Sequence, residues 1–166
     1  MLAMRMATEG VSIGRPTPAE VGYLAGIMDG EGYFTASVKT RSFGLRVAMT
    51  DECVIDWLHE HFSGSVSRAG VTKAGNRVYT WTLSRQADLT YVLPRLIPLL
   101  VCKRAQAEAM MALLRHLAKQ PRWDSRPTRD LSNVGKGAAE RQRRRDARAA
   151  WKQRELELRE AIALAR

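Results

Sequence analysis

The nine residues Leu24-Ala25-Gly26-Ile27-Met28-Asp29-Gly30-Glu31-Gly32 decide the fold. They read as the end of a short helix that carries glycine where a helix disfavours it and closes on a carboxylate. Gly22, Gly26 and Gly30 recur at every fourth position and so line one helical face. Each costs about 1 kcal/mol against alanine in a helix interior. Three on one stripe make sense when a second backbone approaches that face closely, as small residues allow at helix–helix contacts. Glu31 falls in the last turn, at the negative end of the helix dipole, where an anion is disfavoured. A bound cation would reverse that preference. One segment thus points both to a close helix pairing and to a metal ligand.

Around this stretch the chain alternates helix and hairpin. Thr17-Pro18-Ala19-Glu20 is a helix start, with Thr17 as cap, Pro18 at the first position and Glu20 completing a capping box. Tyr33–Lys39 and Phe43–Met49 alternate with period two about a turn near Arg41-Ser42, one face apolar and the other polar and partly basic. Asp51 is expected to cap a helix through Phe62. A second hairpin follows, with Ser65–Ala69 and Arg77–Ser84 flanking a polar turn and Tyr79, Trp81 and Leu83 facing the core. Gln86–Ile97, stopped by Pro98, and Lys103–Leu117 complete the order αββαββα. That order predicts an α+β domain with a four-stranded antiparallel sheet, one face under helices. The expected organisation is an N-terminal tail over 1–16, a domain over 17–117, a linker over 118–137 and a basic C-terminal helix over 138–166. Trp151, Leu158, Ile162 and Ala165 would lie along one side of that last helix.

The glycine stretch resembles the signature of the LAGLIDADG homing endonucleases, with Leu24, Ala25, Gly26, Asp29, Gly30, Glu31 and Gly32 at matching places. A second segment, Leu96–Gln106, is similar to the part of that family in which a proline (Pro98), a lysine five residues later (Lys103) and a glutamine three further on (Gln106) lead into a helix. The resemblance spans residues 17–117. It implies that Glu31 binds divalent metal and that Lys103 supports catalysis, with Gln106 positioning groups nearby and Asp29 structural. It also implies cleavage across the minor groove with short 3′ overhangs. There is one departure: Val47-Ala48-Met49-Thr50 lacks the polar residue, commonly glutamine, that members carry near the end of the second strand. This bears on cleavage more than on DNA binding.

The motif occurs once, so a helix to pair with Gly22, Gly26 and Gly30 must come from a second chain. The expectation is a homodimer whose two-fold axis brings two copies of Glu31 together. Two close carboxylates favour shared divalent cations, and hard oxygen ligands point to Mg²⁺, with Ca²⁺ a non-productive substitute. Two-fold symmetry predicts one cut in each strand of double-stranded DNA at a long pseudo-palindromic site. A β-ribbon can read the major groove; Ser37, Lys39, Arg41, Arg46, Arg68, Lys73, Arg77 and Thr80 are the candidate readers. Two other functions share the scaffold: a non-catalytic DNA-binding protein (repressor or decayed endonuclease) and an intron RNA maturase.

Composition agrees with a polyanionic partner: 166 residues carry a net charge of +10, with pI near 10.3. Residues 118–166 hold 14 Lys+Arg against 7 Asp+Glu, whereas 17–117 hold 11 against 9. The basic tail is expected to meet phosphates, which carry affinity without sequence. Cys53 and Cys102 are read as reduced core residues of an intracellular, cytoplasmic protein, and the excess of Arg over Lys hints at a bacterial or phage genome. No apolar run spans a membrane, and Met1–Arg15 lacks the layout of a signal peptide.

Overall fold

A capping box opens the first helix, α1 (Pro18–Gly30): the Thr17 hydroxyl accepts from the Glu20 backbone N–H, and the Glu20 carboxylate accepts from the Thr17 N–H. The computed structural model describes residues 13–120 and 134–165, so the expectations for positions 1–12 of the tail and 121–133 of the linker lie outside the described residues. α1 buries Val21, Leu24, Ala25 and Met28 and passes directly into β1 (Gly32–Ala36). Gly32 permits that sharp junction, because a Cβ there would sit 2.7 Å from the Met28 Cα. There follow β2 (Phe43–Met49), α2 (Glu52–Phe62), β3 (Ser65–Val71), β4 (Arg77–Leu83), α3 (Gln86–Leu96), a 3₁₀ turn (Ile97–Leu99), α4 (Arg104–Ala118) and α5 (Val134–Leu164).

The four strands form one antiparallel sheet in the order β1-β2-β4-β3. Its register sorts the side chains. Phe34 lies opposite Leu45, Leu45 opposite Leu83 and Val47 opposite Trp81. All five are buried in the core beneath the helices, with Ile55, Leu58 and Phe62 of α2 and Leu89, Val92 and Leu93 of α3. Trp81 satisfies its indole by donating to the Ser63 carbonyl at 2.6 Å. The other set of alternating residues, with Tyr33, Arg46 and Thr82 in one row and Ala48, Thr80 and Ser67 in the next, makes the opposite face.

Several local expectations change. Asp51 stands at the start of α2 in extended conformation, but its side chain makes no capping hydrogen bond. α3 ends at Leu96, and Pro98 sits inside the 3₁₀ turn instead of stopping a helix outright. Cys53 and Cys102 are exposed free thiols, not core residues: Cys53 falls on the solvent side of α2, and Cys102 in the turn before α4. Ile13, assigned to the tail, is buried in the core. α5 begins at Val134, four residues before the expected start of the C-terminal helix.

α5 packs against α4 and β1. Leu158 and Ile162 are buried there as its apolar side predicts, and Trp151 stacks on His116 of α4 with ring centroids 4.4 Å apart. Its buried polar pair, Glu155 and Arg159, escapes a hydropathy reading.

Candidate functional site

The end of α1 and the start of α4 are locked together. The Asp29 carboxylate accepts the backbone N–H groups of Val101 at 2.7 Å, Lys103 at 3.0 Å and Cys102 at 3.1 Å. Lys103 is the cap residue of α4, and Val101 and Cys102 lie in the turn just before it. In return the Lys103 ammonium donates to the carbonyls of Gly32 at 2.6 Å, Met28 at 2.7 Å and Asp29 at 3.0 Å, at the carbonyl-rich end of α1. Desolvation, the largest single influence on Asp29, acts to raise its pKa. The N–H bonds from Val101, Lys103 and Cys102 and the Lys103 charge outweigh it, and the carboxyl is held below its ordinary value.

Glu31 sits at the hub of this clamp. Its backbone N–H closes α1 on the Ile27 carbonyl at 2.8 Å, and the residue is exposed. The carbonyls on either side of it in sequence, those of Asp29 and Gly32, are bound by Lys103, so the backbone presenting its carboxylate is fixed at both ends. All three of the ammonium's N–H donors are matched by a carbonyl, so Lys103 holds this junction instead of projecting freely. Gln106 is buried in the first helical turn beyond it.

The glycine face of α1 is bare. Gly22, Gly26 and Gly30 are exposed, and a Cβ built on any of them would meet nothing within 4 Å. Contacts among the described residues therefore do not explain three glycines on one helical stripe. Glu31 follows Gly30 directly, as the residue that closes the helix. Among the described residues no three His, Cys, Asp or Glu side chains converge as a metal-binding group.

The structure separates the expected readers. Arg46 and Thr80 lie on the sheet face opposite the helices, and the Arg46 Nε is buried without a hydrogen-bond partner. Ser37, Lys39 and Arg41 belong to the turn joining β1 and β2, Lys39 and Arg41 exposed and Ser37 half-buried. Lys73 is exposed in the turn between β3 and β4. Arg68 and Arg77 are placed differently. An irregularity between Ser67 and Gly70 breaks the pairing of β3, and the Arg68 guanidinium lies against α2, bonded to Glu52 at 2.8 Å and Asp56 at 3.2 Å. Arg77 shares the strand parity of Tyr79 and Trp81, and its charge acts on Glu52. The bond from Arg68, with further help from Tyr79, holds the Glu52 carboxyl below its ordinary value. These two arginines thus serve the helical side of the sheet, a placement that strand ends alone do not disclose.

The three histidines make no metal site with cysteines or carboxylates among the described residues. His61 stacks on Trp57 and bonds to its carbonyl, and His116 does the same with Trp151. No described helix is long and apolar enough to cross a membrane.

This architecture, with a glycine-lined helix leading into an antiparallel four-stranded sheet, is the fold of the LAGLIDADG homing endonucleases. The archaeal intron-encoded homing endonuclease I-Vdi141I, complexed with DNA, superposes with a TM-score of 0.63 at 13% identity, over 89% of this chain and 84% of its own. The homing endonuclease I-CvuI, in complex with the I-CreI target, gives 0.52 at 21% identity over 61% of this chain and 69% of its own. The LAGLIDADG meganuclease I-AabMI, bound to uncleaved DNA, gives 0.51 at 21% identity over 62% of this chain and 38% of its own. No protein-family model and no curated protein sequence matches this chain.

Proposed function

We propose that this protein is a homodimeric, metal-dependent, site-specific DNA endonuclease. The observation that carries the reading is the uncovered Gly22-Gly26-Gly30 face on a helix that the exposed Glu31 closes. A second copy of α1 seated on that face makes an isologous contact and brings two Glu31 carboxylates to one place. DNA-bound proteins with the same fold support the choice of substrate.

The donor set suits a hard divalent cation such as Mg²⁺. Glu31 offers an exposed carboxylate, and the remaining ligands would be the partner copy's carboxylate, phosphate oxygens and water. When bound, such an ion supplies an activated water and neutralises charge at the scissile phosphodiester. The chain's own residues do the rest. The Asp29–Lys103 clamp fixes the backbone around Glu31, and the Lys103 ammonium adds a fixed positive charge beside the carboxylate's backbone. The outer sheet face, with Arg46 and Thr80, reads bases in the major groove, and Lys39, Arg41, Lys73 and Ser37 extend that reach at its hairpin tips.

A binding-only role is favoured by one observation: the Lys103 ammonium is fully engaged by backbone carbonyls. One comparison separates the two roles. Wild type and Glu31→Gln are tested on a duplex pool for binding in Ca²⁺ and for cutting in Mg²⁺. The nuclease reading requires that Glu31→Gln bind like wild type and lose cutting by at least about a hundredfold, the scale seen when one group that stabilises a transition state is removed. Sequence-specific binding by wild type without cutting would leave a binding protein, and cutting by Glu31→Gln at the wild-type rate would remove Glu31 from the chemistry.

A further inference from the structure

Arg159, deep in the C-terminal helix, is almost completely buried, and it spends its guanidinium on one loop. Nη1 donates to the carbonyls of Ser37 and Ser42, both at 3.1 Å, and Nη2 donates to the carbonyl of Arg41 at 3.1 Å. Nε donates to Glu155 one turn earlier in α5 at 3.0 Å, and Nη2 also faces that carboxylate at 2.9 Å. Both side chains are under one-tenth exposed. Residues Ser37 to Ser42 are the turn that joins β1 to β2. The turn is closed by Ser37 N–H to the Ser42 carbonyl at 2.9 Å and braced by Thr40 on the Ser37 hydroxyl at 3.1 Å. Within it Arg41 adopts a φ of 56°, a left-handed conformation uncommon for a residue with a side chain. The carbonyl of that same residue is one of the three that Arg159 grips.

A buried ion pair is a weak source of stability, since desolving two charges offsets their attraction. A forked guanidinium is well suited to holding several acceptors in fixed relation. We propose that Arg159 is a positioning residue for recognition: it fixes the β1–β2 turn so that Lys39 and Arg41 meet DNA in one register. The proposal rests on the reading of the sheet as a DNA reader. It gives the C-terminal helix a role in base preference separate from any contact of its own with phosphates. A cleft of about 260 Å³ lies beside the clamp, lined by Arg41, Phe43, Trp151, Glu155 and Arg159.

The test uses the full chain and two readouts. Arg159→Lys keeps the charge but loses the fork, and the double replacement Glu155→Gln with Arg159→Met removes both buried charges while keeping volume. Amide exchange over Ser37–Ser42 is expected to accelerate at least about tenfold in both variants, with the rest of the sheet unchanged. Base preference, from selection on a randomised duplex pool, is expected to fall about tenfold at the positions that Lys39→Ala affects and nowhere else. Unchanged exchange in the turn overturns the clamp. Faster exchange with base preference intact overturns its role in recognition. Wild type without any base preference overturns the DNA-reading function itself, which the exchange arm judges separately from the clamp. Should neither variant fold, the wild-type Arg159 side-chain N–H signals decide: slow exchange with solvent supports the clamp, and free exchange overturns it.

Discussion

Asp29 and Lys103 cap each other's helices. The Asp29 carboxylate gathers three N–H groups at the entry to α4, while the Lys103 ammonium gathers three carbonyls around the exit of α1. Residues far apart in sequence thus build a reciprocal brace, and Glu31 stands within it. Under the proposed function, a carboxylate that shares a metal with a partner copy needs a backbone that does not yield when two like charges approach. The brace supplies that stiffness.

Removing either half should cost stability. Asp29→Ala leaves donors at the start of α4 without their acceptor, and Lys103→Met leaves carbonyls at the end of α1 without their donor. Each is expected to lower unfolding stability by about 1–3 kcal/mol. The double variant should lose less than the sum of the two, because the groups act as a unit. Urea midpoints at constant slope measure this, and strictly additive losses would show that the two caps are independent.

The depressed pKa of Asp29 sets the direction of its pH dependence. A carboxyl lowered on folding contributes stability that is fully present above its unfolded pKa, about 3.9. That contribution is lost as pH falls through the folded value. Wild type should therefore lose stability below about pH 4, and Asp29→Asn should show a shallower acid limb. Parallel acid limbs for the two proteins would remove Asp29 from the account.

The glycine face can be tested without disturbing the monomer, since none of the described residues lies within 4 Å of a Cβ at Gly26. Gly26→Arg should fold with at least wild-type stability, because glycine is about 1 kcal/mol worse than alanine in a helix interior. The same change should abolish dimer and cutting by blocking close helix approach. Sedimentation gives the mass and a plasmid assay the activity. A Gly26→Arg protein that still sediments as a dimer and cuts would place the partner elsewhere.

Arg46 and Arg68 should behave as opposites. Arg46→Ala, on the outer sheet face, should leave the fold intact and cost about 1–3 kcal/mol of discrimination at one base position. Arg68→Ala, on the α2 carboxylates, should leave base preference unchanged, and its exposed ion pairs should contribute little to stability. Base-by-base selection on a randomised duplex compares them; equal effects would mean that Arg68 leaves α2 to join the reading face.

The repeating signals were legible in the sequence. The capping box at Thr17, the glycine stripe and the period-two strands each report a local rule, and the helices and hairpins fall where those rules put them. What escaped depends on partners distant in the chain. Asp29 reads as structural, but the place of its donors at Val101–Lys103 is not visible until α1 and α4 meet. Arg68 alternates like any strand residue until the pairing of β3 breaks next to it. Arg159 looks like one more charge in a basic tail, because hydropathy cannot foresee a buried guanidinium gripping a turn more than a hundred residues away. Cys53 and Cys102 failed for the converse reason: a small apolar residue in an apolar stretch can still fall on the solvent side.

The most direct test of the central claim is to map new DNA ends at base resolution after incubating the full-length protein with a complex duplex pool in Mg²⁺. Two copies acting through paired Glu31 carboxylates predict recurrent ends on both strands, with one fixed stagger, centred on near-palindromic sites. Recurrent ends on a single strand, or no recurrent ends from protein that binds duplex DNA in Ca²⁺, would contradict it.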